Sequence, residues 1–438
     1  MHSFAPEIIL ITILGLVVVS DAIADRLKIP SVFLLLIGSY LIYNYLPMAV
    51  PLDLKHYFDA IILFCIPLIF MGDALHLHFS DVKKYGWEIF YLAVISVSLS
   101  IAAGASLHYF GVFEGLSIGA YVSLFAINMA TDAVSVQSIL SRFDGISHQI
   151  KVLIEGESLG NDATAVIAFF FIGLPWMMSG EIDAGHAAMD ALRVFIVSIG
   201  LGVILGYIFY MLMKLFNDRR GEFFAFVIEA YAAYVIAEEL HVSGILTLIT
   251  AIIATKAWID SDIKALEDTN KIKEKSFLRK LRLDSISATT TERLDYIYEM
   301  AKEFGYIAAV MIFFVLAEMA DFEKLWHYKM EILAMFALTT IIRALSMAKF
   351  AFFGQRFNII KPVGAEGWFI LTFSGMKGAL SIILVHMIPA SFEHKELFEV
   401  VTTGVVMLSI FGYGTVLWFY FTLKGIREEK GEKASLFR

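Results

Sequence analysis

Ile154-Glu-Gly-Glu-Ser-Leu-Gly-Asn-Asp-Ala-Thr164 sits in the middle of an otherwise apolar run, residues 148–173. That run exceeds the roughly 20 residues a helix needs to cross a bilayer. Two glutamates, an aspartate, an asparagine and a serine therefore stand at a depth where hydrocarbon is expected. A charge there costs at least about 2.5 kcal/mol, so the cluster needs a reason. On a helix Glu155, Ser158 and Asp162 share one face, and Glu157 and Asn161 form an adjacent row. Gly156 and Gly160 leave a groove where a neighbouring helix can approach. An acidic, oxygen-rich, helix-lined pocket of this kind suits a proton or a small hard cation.

Working outward, 59% of the 438 residues are hydrophobic. This composition implies an all-α polytopic membrane protein; the short alternating strands of a membrane barrel are absent. Met1 to Glu7 has no basic region, so the first apolar run reads as a span rather than a cleaved signal. Cys65 is the only cysteine, which excludes an intramolecular disulfide and a cysteine metal cluster. A net charge of −9 offers no nucleic-acid footprint, and no phosphate-binding loop suggests that ATP drives the protein. No His-Glu-x-x-His or other protease signature marks an intramembrane enzyme, and no cofactor is expected.

About thirteen apolar segments can be read, near 7–24, 30–46, 58–75, 86–110, 115–140, 148–173, 189–213, 223–239, 243–258, 303–320, 330–348, 366–388 and 397–423. Most of the 34 lysines and arginines fall in the alternate loops that include the C-terminal tail. The positive-inside rule then places the C-terminus in the cytoplasm and the N-terminus outside, in a cell membrane. The long polar stretch 260–302 is expected to be a cytoplasmic connector in which Thr291–Met300 forms a surface amphipathic helix. The tail 425–438 is too short for a domain.

Two segments are interrupted at matching positions. Segment 5 contains Asn128-Met-Ala-Thr-Asp-Ala-Val-Ser135, and segment 12 contains Ser374-Gly-Met-Lys-Gly-Ala379. If segments 1–6 and 8–13 are two six-helix units, both breaks lie in the fifth helix of their unit, and the units enter from opposite sides. Discontinuous helices in an inverted repeat point to the substrate site of a secondary transporter. Backbone left unpaired there needs protein or a water-filled cavity to satisfy it.

Asp132 lies at the first break and Asp162 in the next segment. Their carboxylates, the hydroxyls of Thr131 and Ser158, and a carbonyl freed at the break could ligate a hard cation or exchange it for a proton. Asp132 could instead neutralise a half-helix dipole without touching the ion. Arg343 needs an acid, for which Glu157 and Glu155 are the candidates. Lys377 could offset half-helix carbonyl ends at the second break, or carry a proton itself. Asp73 is a candidate for an ion entrance or an interfacial charge, and Glu229 for a paired acid or a member of the ion path. His76 and His78 read as interfacial anchors, and Gly200, Gly202 and Gly206 as packing glycines.

Thr131-Asp132, Glu157-Ser-Leu-Gly-Asn-Asp162, Arg343 and Gly375-Met-Lys-Gly378 together resemble the NhaP branch of sodium/proton antiporters, across essentially the whole membrane part. The resemblance implies a homodimer with a dimerisation part (segments 1–3 and 7–10) and a mobile core (segments 4–6, residues 86–173, and 11–13, residues 330–423). It implies ligation by Thr131, Ser158 and Asp162, with Asp132 acting directly or through water, and a structural Glu157–Arg343 pair. Asn161 stands where electrogenic relatives carry a second aspartate, which implies one-for-one, electroneutral exchange with Asn161 bracing segment 5. Three positions depart from the family pattern: Ala133 replaces a proline, Lys377 replaces an arginine, and Asp73 stands for a glutamate.

The expectation is an antiporter in which Na⁺, or Li⁺ or K⁺, competes with H⁺ for Asp162. A cation channel lacks a visible ring of filter carbonyls, and a Na⁺-coupled symporter of an organic anion lacks an uncompensated basic cluster.

Overall fold

The computed structural model describes residues 5–27, 29–46, 48, 57–77, 79–140, 143, 146–181, 183–216, 218–272, 291–348, 350 and 363–424. Every regular element among them is helical. The order is α1 (Ala5–Leu27), α2 (Ser31–Tyr45), α3 (Phe58–His76), α4 (Phe79–Phe90), a π-turn at Tyr91–Ser96, α5 (Val97–Ser106), α6 (Ile118–Met129), α7 (Ala133–Leu140) and α8 (His148–Ala168). A second π-turn at Phe169–Gly173 leads to α9 (Leu174–Ser179), α10 (Ala184–Met213), α11 (Arg219–Glu239), α12 (Gly244–Ile272) and α13 (Thr291–Met319). The chain ends with α14 (Phe322–His327), α15 (Lys329–Ala348), α16 (Gly364–Phe373), α17 (Ala379–His386) and α18 (Lys395–Leu423). Nine described helices are long and apolar enough to cross a membrane, and Ser31–Tyr45 and Ala60–His76 are shorter apolar helices.

Each apolar stretch of the sequence is helical, but the connector differs from expectation. Thr291–Met300 forms the first turns of α13 and is not a separate surface helix. Tertiary contact explains this: Ile297 and Ala301 are fully buried. Arg293 donates to Glu222 of α11 at 3.0 Å, and Arg219 pairs with Glu292. At the other end α12 continues to Ile272. Residues 273–290 and the tail 425–438 lie outside the described residues, as does His78.

Small residues set the closest helix approaches, as expected where apolar side chains gain little by leaving lipid. A Cβ at Gly202 or Gly206 of α10 would meet the carbonyls of Thr247 or Ala251 of α12 at 2.6 Å. Gly200 faces open space, so it is not one of the packing glycines. Gly156 and Gly160 receive Ile89 and Ala93, which fill the groove expected on α8.

The two interrupted segments meet at their breaks. α6 ends at Met129, Ala130 turns extended (φ −56°, ψ 139°) and α7 begins at Ala133. No proline is needed to start α7. Asp132 does the work of an N-cap: its Oδ1 accepts from Val134 N at 3.1 Å, and its Oδ2 accepts from the Ser135 hydroxyl. The Asp132 N–H donates to Met376 O at 2.8 Å, in the gap between α16 and α17. One backbone hydrogen bond thus joins the two breaks inside the protein. Gly378 makes this possible, because a Cβ there would overlap the Asp132 side chain.

Gly378→Ala is therefore expected to force the breaks apart. Overpacking of this kind costs about 1–3 kcal/mol, which should appear as a lower melting temperature together with at least a tenfold loss of transport. Unchanged melting and transport would show that the crossing has slack.

Candidate functional site

The crossing of the two breaks abuts the polar face of α8. Asp162, Ser158 and Thr131 are all buried. Asp162 Oδ1 accepts from Thr131 N at 3.1 Å, and the Ser158 hydroxyl donates to Thr131 O at 2.9 Å. The Asn161 amide donates to Thr131 Oγ1 at 3.2 Å. Three residues of α8 at spacings of three, one and four thus close on one residue of the break. They can do so because Thr131 is in neither half-helix and has a free N–H and C=O. Asp162 Oδ2 has no hydrogen bond among the described residues.

Asn161 also donates to Glu157 Oε1 at 3.2 Å, and Glu157 is held by Arg343 of α15 through two parallel bonds, 2.8 and 2.9 Å. Of the two acids considered for Arg343, the structure pairs it with Glu157. The guanidinium does a second job that the sequence did not disclose. Its Nε donates to Leu371 O and Thr372 O at 3.1 Å, and Nη2 donates to Leu371 O at 2.8 Å. Those carbonyls close the first half of the broken pair α16/α17, so Arg343 and not Lys377 occupies that negative helix end. Gly375 lets α16 come this close, since a Cβ there would overlap Arg343.

Lys377 is 2% exposed. Its N–H donates to Ser409 Oγ at 2.8 Å, and its ammonium makes no hydrogen bond among the described residues. It lies within the electrostatic reach of Arg343, Glu157 and Asp162.

The remaining candidates separate. Asp73, on α3, lies in the field of Asp132, Glu155 and Asp162. Glu229 lies elsewhere, accepting from Thr255 of α12, whose hydroxyl also contacts Gly206 O of α10 at 2.9 Å. It belongs to the packing of α10, α11 and α12, with no hydrogen bond to the acids around Thr131. His76 is no simple interfacial anchor: its Nδ1 lies 2.7 Å from Glu155 Oε1. Lys256, counted in the sequence only as a basic residue, is buried and donates to Leu75 O and to Leu77 O (3.1 Å) at the end of α3. A lone lysine near the end of an apolar run was the available signal, and its partners come from a helix about 180 residues away in sequence. Among the described residues no group of three or more His, Cys, Asp and Glu could hold a resident metal ion.

Comparison with known proteins places the chain in a family and matches its fold. The Na(+)/H(+) antiporter NhaH of Halobacillus aidingensis is 26% identical over 434 residues, covering 95% of this chain and 98% of that protein. The Na(+)/H(+) antiporter NhaG of Bacillus atrophaeus is 25% identical over 408 residues, covering 90% and 71%. The solved structure of the sodium proton antiporter MjNhaP1 of Methanocaldococcus jannaschii superposes with a TM-score of 0.72 at 16% identity, over 95% of this chain and 97% of that one. The profile of the transmembrane sodium/hydrogen exchanger family matches residues 9–423. This chain belongs to the sodium/hydrogen exchanger family, and is a multi-pass secondary transporter rather than an enzyme.

Proposed function

We propose that this protein exchanges Na⁺ for H⁺ at Asp162, one cation for one proton. The observation that carries this is the state of Asp162: a buried carboxylate with one oxygen held by Thr131 N–H and the other without a partner. The free oxygen can take either a proton or a cation. Thr131 O, Thr131 Oγ1 and Ser158 Oγ keep lone pairs that could complete the oxygen set a hard cation prefers. Both oxygens of Asp132 are engaged at the start of α7, which favours a capping role or ligation through water over direct ligation. The relatives' names supply the cation.

Coupling follows from charge. With a proton or a monovalent cation bound, Asp162 is neutral and can cross the apolar barrier. Empty, it carries a desolvated charge costing about 3 kcal/mol or more, which slows the crossing more than a hundredfold. The moving body would comprise α4 to α9 and α15 to α18, and the rest a scaffold that pairs two copies into a homodimer. Asn161, Glu157 and Arg343 serve as braces of the moving body, Lys377 as a supporting residue of the second break, and Asp73 as a residue of the ion's approach. The basic loops put the C-terminus in the cytoplasm and the N-terminus outside a cell membrane.

The test is reconstitution in vesicles bearing a pH gradient, with Na⁺, Li⁺ or K⁺ added separately. Cation-induced proton movement is expected to persist when the membrane potential is clamped. Raising the proton concentration should raise the apparent KM for the cation and leave the maximal rate intact. Cation flux that needs no counter-moving proton would point to a channel and overturn the reading.

A further inference from the structure

Glu155 has no part in the network around Thr131, yet it lies on the Ser158 and Asp162 face of α8, seven residues nearer the His148 end. At 1.5 Å per residue that is roughly 10 Å along the helix. Glu155 is 8% exposed, and its Oε1 meets two side chains: His76 Nδ1 at 2.7 Å and Gln137 Nε2 at 3.4 Å. The His76 contact is close but lacks hydrogen-bond alignment, so the ring covers Glu155 Oε1 without a directional bond to it. The His76 side chain is 34% exposed, at the margin between the interior and water.

His76 is held firmly from its own side. It is the last residue of α3, and the carbonyls on either side of it, Leu75 O and Leu77 O, are both taken by the Lys256 ammonium of α12. Its ring stacks on Tyr298 of α13, centroids 5.1 Å apart. The groups that fix His76 therefore come from α12 and α13, whereas Glu155 rides on α8. One turn back along α3, Asp73 feels the charges of both Glu155 and Asp162. Glu155 and Asp162 thus share one face of α8, and Asp73 of α3 is within the electrostatic reach of both.

We infer that His76 is a tethered side chain that occupies Glu155 and gates the passage between the basic-loop side and Asp162. A cation arriving from that side meets Glu155 first and must displace His76 to advance. A cation arriving from the other side meets neither residue. His76 and Glu155 thus set the apparent cation affinity on one side only, as positioning residues that leave the exchange chemistry at Asp162 untouched. This rests on the proposal that Asp162 is the exchanging acid and that α3, α12 and α13 stay still while α8 moves.

The test uses the full-length protein reconstituted in one orientation, with KM for Na⁺ measured from each side. His76→Gln is expected to lower KM about fivefold on the basic-loop side, the effect of roughly 1 kcal/mol, with KM on the other side and the maximal rate unchanged. Glu155→Gln should raise KM on the basic-loop side and make His76→Gln silent in the double variant. His76→Lys, which places a tethered cation against Glu155, should keep KM on that side at or above its original value. Equal KM changes on both sides, no change on either, or a His76→Gln effect that survives in the Glu155→Gln background would overturn the gate. If His76→Gln does not fold, Glu155→Gln alone decides, and unchanged KM from both sides counts against the gate. Absence of cation-dependent proton movement in the unmodified protein would instead overturn the exchange reading itself.

Discussion

Asp162→Asn is expected to abolish cation-driven proton movement, by at least about a hundredfold, in a protein that melts where the unmodified chain does. The two halves of this expectation have separate physical grounds. Asn Oδ1 has the shape and acceptor needed to keep the bond from Thr131 N–H, now 3.1 Å from Asp162. The Ser158 and Asn161 contacts to Thr131 do not involve Asp162 at all, so the crossing should stay intact. The amide, however, can neither release a proton nor offer an anionic oxygen to Na⁺. The variant also removes the charge that holds the empty site back, worth about 3 kcal/mol, or more than a hundredfold in crossing rate. The moving body proposed above could then cross freely while carrying nothing. Vesicle exchange and thermal melting in detergent together decide the matter. Full exchange in Asp162→Asn would remove the residue from the mechanism, and a large fall in melting temperature would reassign it to packing.

The same contrast shows what a single sequence discloses of such a protein. Asp162, Glu157 and Arg343 stand out because charge is scarce in apolar segments, so each demands a partner, and the candidate partners are few. The broken segments are legible for a similar reason, since glycine and polar residues in Gly375–Gly378 and Asn128–Ser135 interrupt a continuous apolar pattern. What stays hidden depends on which backbone groups meet in space. Arg343 could be matched to an acid by charge, but its bonds to Leu371 O and Thr372 O follow from where α16 happens to end. Lys256 read as one more basic residue near a membrane edge, and its service to the end of α3 exists only once α3 and α12 are packed. The π-turns at Tyr91–Ser96 and Phe169–Gly173 have no sequence signature, because they answer to the packing of α4, α6 and α8 around them. α13 starts earlier than the apolar pattern indicates because its first turns are polar and are held by Glu222 and Arg219 of another helix.

Arg343→Ala is expected to be the most destabilising single change in the membrane part. Removing one partner of a buried ion pair leaves an uncompensated charge and costs about 3–5 kcal/mol. Here the loss spreads further. Glu157 would keep only the Asn161 amide, Leu371 O only the Ser374 hydroxyl, and Thr372 O would lose its Arg343 donor at a depth where water cannot replace it. Glu157→Ala strands the opposite charge, but Arg343 keeps its two carbonyls, so the fall in melting temperature should be smaller. The order of the two variants therefore separates the ion pair from the helix-end contacts. Arg343→Lys should land between the unmodified chain and Arg343→Ala, since an ammonium carries the charge but lacks the planar fork that serves one carboxylate and two carbonyls at once. The double variant Glu157→Leu with Arg343→Met removes both charges and should recover part of the loss. Recovery should stop short of the original stability, because Thr372 O remains without its Arg343 donor and Leu371 O keeps only Ser374. Full recovery would mean that the carbonyl contacts contribute nothing. Equal melting of Arg343→Ala and the unmodified chain would mean that this pair does not hold α8, α15 and α16 together.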